Sequence, residues 1–249
     1  MSSATSDTTA VAVGLVLHGP TLAVPSLDEL ERLAAVPERR VVIKGVDWTF
    51  YERLVDSIPE GVRIRVNYDG KDLELMSLSP FHDGVKKQLA RVVELVAEEL
   101  EIPFRGLGQT TWKRPDVERG LEADECSYFA SDKLSVVASA LKRGARDVAL
   151  YPNPDLGIEV DLSPSKIDRP GIYANLGVAE IWRFDGEQIV IERLDPSGSY
   201  QTAPASGFLW IKPDEIRRWV IEEDALDGLR WARGLRAWVQ TELAPRRDS

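Results

Sequence analysis

Two pairs of carboxylates stand at strand spacing in this chain of 249 residues: Glu122 with Asp124 in "GLEADECSYF", and Glu159 with Asp161 in "LGIEVDLSPSK". Side chains at i and i+2 leave a strand on the same side, so each pair shares a face, while Glu125 points the other way. Two like charges about 4 Å apart repel by roughly 4 kcal/mol at an effective dielectric near 20. A proton, an Arg or Lys, or a metal ion must offset that repulsion. If the two strands are neighbours, their acids converge into an oxygen cage suited to Mg²⁺, which completes its shell with waters and phosphate oxygens. A metal so held polarises a phosphoryl group and lowers the pKa of bound water, the chemistry of phosphodiester hydrolysis. The competing reading is the solvated face of an exposed sheet. It weighs more for Glu122 with Asp124 than for Glu159 with Asp161, whose alternate neighbours Ile158, Val160 and Leu162 form a core face.

Composition narrows the choice of ion. The single Cys126 cannot form an intrachain disulfide, and two histidines leave almost no room for a zinc site of Cys and His ligands. Oxygen ligands remain, and they select hard cations: Mg²⁺, Mn²⁺ or Ca²⁺. With 43% apolar and 29% charged residues the chain reads as an ordinary globular protein. The apolar run Val11 to Leu17 has no basic residues ahead of it, as a signal peptide would need, and no stretch reaches the length of a membrane span. The expected location is the cytoplasm. A net charge of −10 argues against broad, sequence-independent nucleic-acid binding but allows a local basic patch over an acidic metal site.

The elements that must position these acids follow from periodicity. Residues 1 to 20 lack a period and are expected to form a loose tail, ahead of one domain over 21–249 with a helical C-terminal extension. "SLDELERLAAV" carries a capping-box pattern from Ser26 to Glu29, and Asp47 caps a second helix after the strand "RRVVIKG". Asp69-Gly70 interrupts "RIRVNYDGKDLELMS" as a hairpin turn. Val85, Leu89, Val92, Val93, Val96 and Leu100 form the stripe of an amphipathic helix over 83–100. "LGQTTWKRP", "LEADECSYFA" and the segment around Glu159 read as strands, with "SDKLSVVASALKRGARD" a helix or loop excursion. A short helix through "IDRPGIYANLG", the strands "AEIWRFDGEQIVIERL" and "SYQTAPASGFLW", and a helical end with Trp219, Trp231 and Trp238 as apolar anchors complete the reading.

Taken together, "LELMSLSPFHDGVKKQLARVVELV", "LEADECSYF" and "DLGIEVDLSPSKIDRPGIYANLGVAEIWRFDG" resemble the Uma2 family of bacterial restriction-endonuclease-like proteins, in the PD-(D/E)XK nuclease superfamily, over about residues 40 to 195. The resemblance implies an α/β (α+β) fold, a mixed central sheet flanked by helices. Family members read Glu-Pro-Asp where this chain has Glu122-Ala123-Asp124, and Val-Glu-Val-x-Ser-Pro-Ser where it has Ile158 to Ser165. It implies that Asp124 and Glu159 bind Mg²⁺ (or Mn²⁺), with the Val160 carbonyl as a further ligand, and that DNA is cut, with a homodimer expected where two strands are cut. The superfamily's lysine two residues after the second acid is Asp161 here, which instead serves as an extra metal ligand; Lys166 is the nearest replacement cation. Glu74 and His82 fall where the family places a strand Glu, beside the metal, and a His that contacts phosphate. The rival expectation is a catalytically inactive nuclease-like module that binds without cutting, and a third is a sheet with ordinary surface acids.

Overall fold

The computed structural model describes residues 15–18, 24–59, 61–223 and 227–248. Its strands divide into two six-stranded sheets. The first runs β1 (Leu15–His18), β2 (Arg40–Lys44), β4 (Leu73–Ser77), β3 (Ile64–Tyr68), β7 (Arg119–Ala123), β6 (Thr110–Arg114); the second runs β12 (Tyr200–Thr202), β11 (Ile189–Leu194), β10 (Glu180–Phe184), β9 (Leu156–Val160), β8 (Glu125–Tyr128), β5 (Arg105–Gly106). The pairs β1/β2 and β9/β10 are parallel and the others antiparallel, so both sheets are mixed, and with seven α-helices among the described residues the fold is α+β. The expected single strand over "LEADECSYFA" is in fact two. Asp124 alone separates β7 from β8, and the chain passes there from one sheet to the other.

Local chemistry accounts for the elements next to the site. The β3–β4 hairpin turns at Asp69-Gly70, where Gly70 has φ 93, a left-handed value that glycine adopts without steric cost. The helix α3 (Pro80–Glu99) starts at Ser79, whose hydroxyl accepts the His82 amide at 3.0 Å, with Pro80 in the first turn. Its stripe of Val85, Leu89, Val92, Val93 and Val96 packs on Ile158 and Val160 of β9 and on Trp182 and Phe184 of β10. Each such side chain contributes about 1.5–3 kcal/mol on full burial. Trp219 and Trp231 belong to this core too, with Trp231 on α7 (Gly228–Trp238), and Trp238 packs against it.

Within the stretch expected as a tail, Leu15–His18 instead forms β1, paired parallel to β2; the β-favouring apolar run finds a sheet edge that a local reading does not show. Residues 1–14 lie outside the described residues. Among the described residues, no helix is long and apolar enough to cross a membrane.

Candidate active site

β9 presents Ile158 and Val160 to the core with α3, which turns Glu159 to the opposite face. There Glu159 is 1% exposed and needs partners. It finds cations: Arg65 Nη1 lies 3.2 Å from Glu159 Oε2, Arg169 Nη2 closes an ion pair with the same oxygen, and the Tyr173 hydroxyl donates to Oε1. Arg169 and Tyr173 come from α5 (Arg169–Asn175), the crossover helix between the parallel strands β9 and β10. Gly157 lets Tyr173 come so near, since a Cβ at 157 would lie 2.6 Å from its ring.

Arg65 is the second residue of β3, every residue of which is buried. Its guanidinium also forms a close ion pair with Asp124, so Asp124 and Glu159 face each other across one cation. The other oxygen of Asp124 accepts the Val160 amide at 2.8 Å, tying the sheet-to-sheet junction to the end of β9. His82 Nε2 lies 3.2 Å from Asp124 Oδ1 and 3.3 Å from Arg65 Nη2. Burial, with the Arg65 charge beside it, pushes the imidazole pKa down to about 3, so the ring is neutral.

Asp161 follows β9 on the same side as Glu159, as the i, i+2 spacing requires, and Arg169 holds both. Arg40 Nη2 reaches Asp161 at 3.0 Å, while Nη1 meets Glu74 Oε1 at 2.6 Å and Nε donates to Ser163 at 2.8 Å. Burial opposes the Asp161 charge, but Arg169 and Arg40 hold its carboxyl below the usual range. Glu74, fully buried on β4, also accepts the Lys166 amide at 2.8 Å and the Ser165 hydroxyl at 3.2 Å. Lys166 therefore meets the cluster through its backbone, and its side chain is exposed.

Arginine is thus the counterion. Four carboxylates (Glu74, Asp124, Glu159, Asp161) interlock with three guanidiniums (Arg40, Arg65, Arg169), one negative charge in excess. Glu122 stays outside: it is half-buried and accepts from Gln109, so the expected four-acid cage is replaced by one in which Glu74 takes part. The physical reason is the strand break at Asp124, which removes the shared face that a continuous strand would have given Glu122 and Asp124. Among the described residues, no group of three or more His, Cys, Asp and Glu is placed to hold a metal ion. The donor chemistry of Asp124 and Glu159 still fits a hard cation. Asp124 Oδ1 has no aligned hydrogen bond within the protein, and the Arg65 guanidinium stands where an ion shared by both acids would sit.

A cleft of about 540 Å³ opens onto Glu159, Asp161, Arg169 and Tyr173, and its lining also includes Asp185 and Arg183, the latter paired with Glu159 across β9 and β10. It lies beyond the carboxyl ends of β9 and β10, where open α/β sheets bind ligands. Sequence reasoning missed Arg40, Arg65, Arg169 and Tyr173. Arg40 and Arg65 did leave a signal, each being a cation inside a short apolar strand run, "RRVVIK" and "RIRVNY".

Comparison with known proteins adds three findings. No curated protein matches the chain. A solved structure from Anabaena variabilis ATCC 29413, described as "a putative nuclease belonging to DUF820", aligns with 68% of this chain and 98% of its own, at 14% identity and a TM-score of 0.45. The model of the Uma2 family, described as "Putative restriction endonuclease", matches residues 48–226. That span covers well over half of the sequence and takes in Arg65, Glu74, His82, Asp124, Glu159, Asp161, Lys166 and Arg169, so the chain belongs to the Uma2 family.

Proposed function

We propose that the protein is a metal-dependent nuclease that hydrolyses phosphodiester bonds in DNA. The observation that carries this reading is the convergence of Asp124 and Glu159, from separate stretches of chain, on one shared buried cation, Arg65, beside an open cleft. Asp124 and Glu159, with Asp161 beside them, would hold Mg²⁺ or Mn²⁺. Such an ion supplies Lewis-acid polarisation of the phosphoryl group and a lowered pKa for water.

The chain's own residues do the rest. The Val160 amide and the Tyr173 hydroxyl fix the orientation of Asp124 and Glu159. Arg169, in the lining of the cleft, pairs with both Glu159 and Asp161 and holds the Asp161 carboxyl below its usual range. Neutral His82 presents a ring nitrogen beside Asp124 and Arg65, available to a phosphate oxygen once the guanidinium shifts. Glu74 positions Arg40 and, through the Ser165 hydroxyl and the Lys166 amide, the Ser165–Lys166 turn. Cutting both strands of a duplex needs two such sites, which supports a homodimer; action in the cytoplasm accords with a chain whose described helices are too short or polar for a membrane.

The second reading, a nuclease-like module that binds without cutting, is favoured by Arg65 between the two acids and by an aspartate at position 161. Plasmid nicking with Mg²⁺ or Mn²⁺ separates the two. The nuclease reading expects nicking by wild type that Glu159→Gln abolishes, and calorimetric Mn²⁺ binding that Asp124→Ala abolishes. Absence of nicking by wild type with either ion sinks it.

A further inference from the structure

A second cleft, of about 490 Å³, flanks the same buried cluster from the side of α3. Its lining includes Arg63, Lys86 and Lys87 against Asp83 and Glu122, a net positive patch in a chain of net charge −10. Its lining meets the cluster at the start of α3, where Asp83 Oδ1 lies 3.7 Å from His82 Nδ1. Lys86 stands one helical turn after His82 on α3, and residues four apart on a helix are surface neighbours.

Phosphodiester hydrolysis builds negative charge on the transferred group, and a cation free to meet it is required. The three buried guanidiniums are each bound to carboxylates. Lys166 is exposed and lines neither cleft. Lys86 differs on both counts. It is half-buried, it lines the basic cleft, and its ammonium is held by Gln109 Oε1 at 2.6 Å while the Gln109 amide nitrogen donates to Glu122. A neutral amide acceptor keeps the ammonium in place without cancelling its charge. Burial holds its pKa below that of an ordinary lysine, in keeping with an ammonium partly stripped of water.

Resting on the nuclease reading above, we propose that the cleft lined by Arg63, Lys86 and Lys87 is the phosphate-binding subsite for the nucleic-acid backbone, and that Lys86 is the residue that contacts the phosphate being cut. Gln109 is its positioning residue.

Two measurements test this on the full chain. The first is binding of a fluorescent DNA oligonucleotide across a salt series without divalent ions, for wild type, Lys86→Ala, Lys86→Arg and, as a control, Lys142→Ala at the exposed end of helix α4 (Ser131–Lys142). Loss of one phosphate contact lowers the slope of log affinity against log salt by about 1. Lys86→Ala is expected to lose that increment, Lys86→Arg to keep it, and Lys142→Ala to match wild type. The second is cleavage of the same oligonucleotide with Mg²⁺ or Mn²⁺, where Lys86→Ala is expected to be slower by roughly 10²-fold and Lys86→Arg to recover part of the rate. Unchanged slope and unchanged cleavage in Lys86→Ala overturn the subsite while leaving the nuclease reading intact, provided Glu159→Gln is dead. A Lys86-dependent slope in a wild type that never cuts supports the subsite and overturns the nuclease reading. A wild type that neither binds nor cuts overturns both.

Discussion

Two buried carboxylate networks in this protein differ in how completely they are satisfied. Glu180 on β10 is 1% exposed and takes the Trp182 indole N–H at 2.7 Å, the Ser206 hydroxyl at 2.7 Å and the Gly207 amide at 2.7 Å, with Arg193 at 3.3 Å. Mostly neutral donors close every position, and no atom of that group is left over. The cluster around Arg65 is built mostly of charged groups and is incomplete. Arg65 Nε, His82 Nδ1, Asp124 Oδ1, Arg169 Nε and Arg169 Nη2 make no aligned hydrogen bond within the protein, five of eleven such buried atoms among the described residues. Asp124 Oδ1 and Arg169 Nη2 do meet opposite charge, but in contacts without hydrogen-bond alignment. Native cores rarely leave polar groups so, and their concentration here supports the nuclease reading proposed above. Glu180 is fully hydrogen-bonded within the protein, and the Arg65 cluster is not.

That contrast can be broken most sharply at the two glutamates. Glu159→Gln is expected to slow plasmid nicking by roughly 10³-fold, the scale on which one electrostatic group at a reacting centre is felt, whereas Glu180→Gln should nick at the wild-type rate. Equal loss in both, measured on folded protein, would erase the distinction. In stability the order changes. Asp124→Ala leaves Arg65 buried beside a lost partner and should destabilise by about 3–5 kcal/mol in urea unfolding, and adding Arg65→Met should restore much of that. Glu180→Gln should cost about 1–3 kcal/mol, because it strands neutral donors rather than an isolated charge.

The metal question sharpens the comparison further. If Arg65 and a hard cation compete for Asp124 and Glu159, Arg65→Met should bind Mn²⁺ at least roughly tenfold more tightly than wild type by calorimetry. A like charge about 4 Å away costs well over 1.4 kcal/mol at an effective dielectric near 20. Weaker binding in that variant would mean that the guanidinium supports the ion instead.

The smallest expected effect concerns pH and a third carboxylate of the structural kind. Asp155 is held by the Ala130 and Phe129 amides at 2.8 Å and by Lys133 Nζ at 2.6 Å; these outweigh burial and keep its pKa below 3.8. Below pH 3.8 the unfolded chain takes up the proton first, so this contribution is complete above pH 3.8 and is lost as pH falls through the folded pKa. Asp155→Asn should therefore flatten the acid limb of the stability curve, read by thermal melts between pH 5 and pH 2 in steps of about half a unit.

Much of the scaffold was legible because its causes are local. The Asp69-Gly70 turn, the apolar stripe of α3, and the shared side of Glu159 and Asp161 each depend on residues a few positions apart, whereas the start of α3 at Pro80, capped by Ser79, lies ahead of the expected Asp83. The division of the strands into two sheets was not legible, since "LEADECSYFA" alternates as one strand and only its pairing with β6 on one side of Asp124 and β9 on the other splits it.

The same boundary runs through the candidate site. By itself the sequence determined that Glu159 and Asp161 share one side of the strand, and that, unless that side is solvated, they need a proton, a cation or a metal to offset their repulsion. Which charge answers them was decided by tertiary structure alone. Arg65 lies 94 residues before Glu159, and Arg40 lies 121 residues before Asp161. No periodicity in either segment encodes that meeting; it follows from the packing of two sheets through Asp124, which brings the buried cations of the first against the acids of the second.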